Sequence, residues 1–161
     1  MSDNFTIELQ GSDLMLAKIS GLLARLEDPK DLMVAIGGQL EANIQLRFVT
    51  KTDPAGNAWD DIAKSTKKRY AKKYPDGTPG SLLNRNQRML GTLAHNAASD
   101  SVEVGFSSPY AIFHVTGTKK MVRRDSLFAS LSADYTTGTL GAQDEADILE
   151  IVEGFMAQPL A

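Results

Sequence analysis

The chain has no cysteine, which excludes disulfides, thiolate metal sites and cysteine nucleophiles. Its two histidines, His95 and His114, form no HxxxH or HExxH pair, so the spacing encodes no metal site. Ser107 and Ser108 precede Pro109 without a GxSxG elbow, and neither GxxxxGK[ST] nor GxGxxG occurs. No run approaches the roughly 18 apolar residues of a membrane span. The start, MSDNFTIELQ, lacks a basic segment followed by an apolar core, so no secretory signal is expected. With the missing cysteines this points to an intracellular product. Internal repeats and low-complexity tracts are also missing.

What remains is a globular composition. At 161 residues, with 42% hydrophobic and 23% charged side chains, one domain over 1–161 is expected. The net charge of −3 is unevenly spread. Residues 1–60 carry net −4, residues 61–90 net +6 and residues 91–161 net −5. A basic centre between acidic flanks suits nucleic acid, the basic surface of one copy meeting acidic surfaces of the next, or a solvated helix face.

Phe5, Ile7 and Leu9 alternate as in a half-buried strand. After Gly11, Ser12 or Asp13 caps a helix whose stripe is Leu16, Ile19, Leu22, Leu23 and Leu26, ended by Glu27-Asp28-Pro29. A second helix is predicted from Pro29 or Lys30 to Val49. Leu32, Ala35, Ile36, Leu40, Ile44 and Phe48 face inward, and Lys30, Glu41, Gln45 and Arg47 stay wet. Gly37-Gly38 in its middle costs roughly 1 kcal/mol per glycine and predicts close approach of another backbone.

Thr52–Asn57 reads as a turn, with Trp59 anchoring it onto the core. A basic helix follows over Ile62–Lys73, then a loop at about 75–80 and helix-like spacing over Leu82–Leu93. A hairpin joins Ala94–Ala98 to Ser101–Phe106, where Val102, Val104 and Phe106 share a face. Loops are expected at 118–124 and 136–143, a short apolar segment at Leu127, Phe128 and Leu131, a helix over Asp144–Met156 and a loose tail at 158–161. Helices and strands fall in separate runs, giving an α+β class. The arrangement is a small antiparallel sheet packed against two long N-terminal helices and a C-terminal helix.

Three constellations bear on chemistry. Asp53, Asp60 and Asp61 cluster near Trp59, but such residues at turns and helix starts usually cap backbone donors. His114, between Tyr110 and Gly117, reads as a hydrogen-bonded core histidine rather than a base. Lys67, Lys68, Arg69, Lys72 and Lys73 interleave with Tyr70 and Tyr74 like a phosphate-facing surface with stacking groups. No catalytic residue, cofactor or metal is expected.

Three stretches carry a resemblance. They are Ala24-Arg25-Leu26-Glu27-Asp28-Pro29 with its following helix, Arg47-Phe48 through Asp53-Pro54-x-Gly56-x-x-Trp59, and Val102-x-Val104-Gly105 leading to Tyr110-Ala111-x-x-His114-x-x-Gly117. In this order, with the leucine-rich Leu83–Leu93, they resemble the virion-morphogenesis family of tailed phages and prophages. That family comprises Mu-like capsid/tail assembly proteins and is related to tail-completion proteins. The similarity covers about residues 5–135. Where the family often carries an RPFLG run, this chain reads Arg124-Asp125-Ser126-Leu127-Phe128.

The resemblance implies a non-enzymatic structural protein, acting in tail completion or at the head–tail neck, often as a ring. Self-association and contact with other tail or neck proteins are implied, with no membrane. The implied location is the host cytoplasm during assembly and the virion afterwards. Partner or subunit contacts are expected at Trp59, Tyr110 and His114, and on charge at Arg123 and Arg124, which pair with the next copy or face DNA. Two other readings stay open. One is a nucleic-acid-binding accessory protein using residues 61–90, with nonspecific DNA proximity at Lys67, Lys68, Arg69, Lys72 and Lys73. The other is a small hydrolase using His114.

Overall fold

A computed structural model describes residues 8–9, 13–24, 26, 29–77, 82–83 and 88–157. The sequence signals at Phe5 and Ile7, at Arg25, Glu27 and Asp28, at 78–81, at 84–87 and in the 158–161 tail lie outside them.

The organising element is α2 (Lys30–Thr50), which follows α1 (Asp13–Leu23). Its apolar positions recur at helical spacing. It stops where Lys51 turns into the left-handed region at φ 59°, its N–H donating to Arg47 O at 2.7 Å. One apolar cluster joins Met15 and Leu22 of α1 to Leu32, Met33 and Ile36 of α2 and to Ile148 and Val152 of α5 (Ala142–Met156). Leu32 and Val152 are fully buried, which contributes about 1.5–3 kcal/mol for each side chain. A second cluster gathers Ile44 and Phe48 from the other end of α2 with Trp59, Met89 and Ala111. The same helix therefore ties both clusters together.

The class is α+β, as the sequence indicates. The hairpin forms as expected, β2 (Leu93–Ala97) antiparallel to β3 (Val102–Phe106), in register from Leu93↔Phe106 to Ala97↔Val102. A second sheet has the order β1 (Glu8–Leu9), β5 (Thr137–Thr139), β4 (Ser130–Leu131). There β4 and β5 are antiparallel, while β1 and β5 are parallel, so this sheet is mixed. The 136–143 stretch, expected as a loop, thus supplies a central strand and the first turn of α5. Its β-branched threonines suit a strand, and Ser130 Oγ meets Thr139 Oγ1 at 2.8 Å across the pair.

Four further expectations change. Arg47 is buried instead of wet, because its guanidinium finds Asp144 and a carbonyl inside the fold. Glu41 is half-buried, bonded to His95 Nδ1 at 2.9 Å. At Gly37 the nearest approaching atoms belong to side chains: a Cβ there would lie 2.5 Å from the His95 ring and 2.9 Å from Val102 Cγ2. Gly38 faces open space. Leu83 has φ 61°, residues Leu90–Thr92 form a 3-10 turn and β2 begins at Leu93, so the helical spacing of Leu82–Leu93 does not become a helix there.

Candidate assembly surface

Trp59, His114, Arg123 and Arg124, four of the residues singled out from sequence, meet around one buried stretch, Arg124-Asp125-Ser126. Trp59 is 8% exposed, stands edge-on to Phe48 at 5.4 Å and donates its indole N–H to Asp125 O at 3.0 Å. It anchors the loop, as its sequence position suggests. That loop is closed locally, since Asp53 Oδ1 accepts the Asn57 N–H at 2.8 Å.

Asp125 is the hub. Its Oδ1 accepts the N–H groups of Leu127 at 2.7 Å and Phe128 at 3.1 Å, and its Oδ2 accepts from Arg123 Nη2 at 2.7 Å. Burial pushes its carboxyl above the usual carboxylate range, against the opposing pull of Arg123 and the two backbone donors. Arg124 lies within the fold at 7% exposure, with Nε donating to Asp60 O at 2.6 Å and Nη2 to Asp61 O at 2.9 Å. Both groups lie in the segment where the chain departs from the RPFLG pattern. No sequence signal marked Asp125, because its role depends on a burial that spacing does not show.

His114 lies on α4 (Ala111–Thr116), which Gly117 ends at φ 75°. Its carbonyl accepts the Arg124 N–H at 2.9 Å. Its buried Nδ1 has no hydrogen-bond partner among the described residues, contrary to the hydrogen-bonded histidine expected. Burial, and secondarily the Arg124 charge, hold its pKa below the ordinary value. Tyr110, just before α4, stands apart from this cluster at 68% exposure, beside the exposed Phe113. Arg123 lines a shallow depression of about 160 Å³ with Asp53, Trp59, Asp60, Asp125 and Phe128. Tyr110, Phe113, Val122 and Arg123 are exposed, whereas Trp59 and Arg124 are buried and His114 is half-buried.

The basic residues form a separate feature. Lys67, Lys68, Arg69, Lys72 and Lys73 all lie exposed on α3 (Lys64–Lys73), a helix with no buried residue. Asp61, of the Asp53, Asp60 and Asp61 cluster, caps a backbone donor as its position suggests. It accepts the Ile62 N–H at 2.7 Å and pairs with Lys67, and the Lys67 hydrogen bond first, then the backbone donor, hold its pKa low. Among the described residues no group of three or more His, Asp or Glu side chains is arranged to hold a metal ion, and no helix is long and apolar enough to cross a membrane.

Residues 8–156 match the phage virion morphogenesis family. The chain belongs to that family. The match spans both apolar clusters, the Asp125 hub and α3, so all the features described above lie within the family's domain. Mu-like prophage FluMu G protein 1 of Haemophilus influenzae (strain ATCC 51907 / DSM 11121 / KW20 / Rd) is 29% identical over 107 residues, which cover 65% of this chain and 71% of that protein. No solved structure matches significantly. Membership assigns the chain a role in building the phage particle.

Proposed function

We propose that the chain is a non-enzymatic structural subunit, working as one domain in tail completion or head–tail neck assembly and closing into a ring of copies. The observation that carries this reading is the family match over 8–156, nearly the whole described fold. The polar side chains at its centre support it. Arg47, Asp125, Asp144 and Arg124 are each engaged by partners of the chain itself, an arrangement that shapes a surface. On this reading Tyr110 and Arg123 touch a neighbouring copy or another tail or neck protein, and Trp59, His114 and Arg124 hold that surface in place. Assembly takes place in the host cytoplasm, and the protein ends in the virion.

A second reading is favoured by α3, whose exposed cations suit nonspecific contact with nucleic acid. Immunogold labelling of purified particles tests the first. Label confined to the tail end or neck, at a constant number of copies per particle, is expected. Particles free of the protein would refute it.

A further inference from the structure

Two exposed features of the fold complement each other in charge and character. The first is α3. Its six basic side chains and no acidic one are all exposed, and no residue of it is buried. Its root is nonetheless fixed, because Arg124 clamps the carbonyls of Asp60 and Asp61 and Asp61 pairs with Lys67. It is a charged arm on a rigid base.

The second is the outer face of α2. Val34, Gly38, Ala42, Leu46 and Val49 follow at intervals of four and three residues, on the side opposite the buried Leu32, Met33 and Phe48. Val34 is 43%, Leu46 58% and Val49 76% exposed. A helix apolar on two faces is normally covered on both. Where α2 meets α5 this face is bordered by a depression of about 400 Å³ lined by Gln39, Asp147, Glu150 and Ile151. Its border is acidic, and α5 carries five acidic side chains and no basic one.

We propose that α3 of one copy docks on the outer face of α2 in the next, its lysines over Asp147 and Glu150 and its Ala71 side against Ala42 and Leu46. This rests on the ring reading and names its contact. The lengths are compatible, about 15 Å of α3 against about 31 Å of α2. Arm and face are different surfaces, so every copy uses both. The contact therefore propagates head to tail and closes when its rotation permits. Nucleic acid on α3 would satisfy the arm and leave the apolar face bare, which is why a second copy is the better occupant.

The absence of cysteine makes a direct test simple. Ala71→Cys and Ala42→Cys proteins, each alone and then mixed, are oxidised mildly at concentrations where native mass spectrometry shows the parent chain assembled. A 71–42 cross-link in the mixture is expected, with little 42–42 product. In parallel, Lys68→Glu/Lys72→Glu and Leu46→Glu each lose self-association, yet mixed together they form a heterodimer through the one intact arm and the one intact face. Folding of each variant is checked by its melting curve. An assembled chain giving no 71–42 cross-link, or mainly a 42–42 one, overturns the docking and leaves the ring standing. Loss of duplex DNA retention in Lys68→Glu/Lys72→Glu with assembly unchanged also overturns it. A parent chain that stays monomeric at every concentration overturns the ring in solution and the docking with it.

Discussion

Arg47 and Asp144, far apart in sequence, meet inside the fold: Arg47 Nη2 donates to Asp144 Oδ1 at 2.5 Å while Nη1 donates to Ser126 O at 3.0 Å. Asn43 Nδ2 donates to the same Asp144 carboxylate at 2.9 Å, and Asp144 Oδ2 accepts the Gly141 N–H at 3.3 Å where α5 begins. The pair thus locks α2, the 124–126 segment and the start of α5 together. Two desolvated charges lose much of their hydration, so the pair specifies geometry more than it adds stability.

Removing one partner strands the other. Arg47→Met is expected to cost about 3–5 kcal/mol, since Asp144 would remain buried without its cation. Arg47→Met/Asp144→Asn recovers part of that loss. Denaturant unfolding measures both; a loss under about 1 kcal/mol for the single variant would contradict the buried pairing.

The adjacent glycines of α2 should respond oppositely. Gly37→Ala drives a methyl into the His95 ring and Val102 and is expected to destabilise by about 1–3 kcal/mol. Gly38→Ala meets nothing within 4 Å and is expected to stabilise by up to about 1 kcal/mol through helix propensity. Melting curves of the two variants decide it; equal shifts would mean that His95 does not press on α2.

His114 predicts a pH dependence. Its folded pKa is lowered, so the unfolded chain takes up the proton first, near about 6.5. Stability is therefore full above that value and falls as pH drops through it toward the folded pKa. His114→Gln should flatten this slope. Arg124→Met should raise the histidine's pKa in an NMR titration, by removing a nearby positive charge. A wild-type His114 titrating above about 6.5 would refute the burial argument.

Asp125 has the opposite sign. Its folded pKa is raised, so stability is greatest below the unfolded value of about 3.9 and declines as pH rises through the folded one. Asp125→Asn keeps an oxygen for the Leu127 and Phe128 N–H groups and is expected to change stability by under about 1 kcal/mol at neutral pH. Asp125→Ala leaves those donors unmet and should cost about 1–3 kcal/mol for each. Equal effects of the two variants, measured by urea unfolding, would show that the turn does not depend on this acceptor.

Much of the fold was legible because its signals are local. The α2 stripe ending at Phe48 and the Val102–Phe106 alternation need only neighbouring residues to be read, whereas α1 ends at Leu23, ahead of the Glu27-Asp28-Pro29 stop expected for it. Trp59 as a loop anchor followed from its rarity and position. The polar centre was not legible in this way. Arg47 reads as a wet helix residue until Asp144 arrives from the other end of the chain, and Asp125 reads as a loop residue until burial is known. The Thr137–Thr139 strand was hidden because a three-residue strand flanked by turns has no period to detect, and its pairing with Leu9 spans nearly the whole sequence. Tyr110 and the α3 lysines lie on the surface, where one sequence identifies the residue and leaves its partner unnamed.

The central claim is that this protein builds the phage particle. Inactivating its gene in an inducible phage or prophage, then titring and imaging the lysate by electron microscopy, tests that most directly. Unjoined or incomplete heads and tails with infectivity lost, both restored by the wild-type gene in trans, is the predicted result. A lysate of intact particles at the normal infectious titre would contradict it.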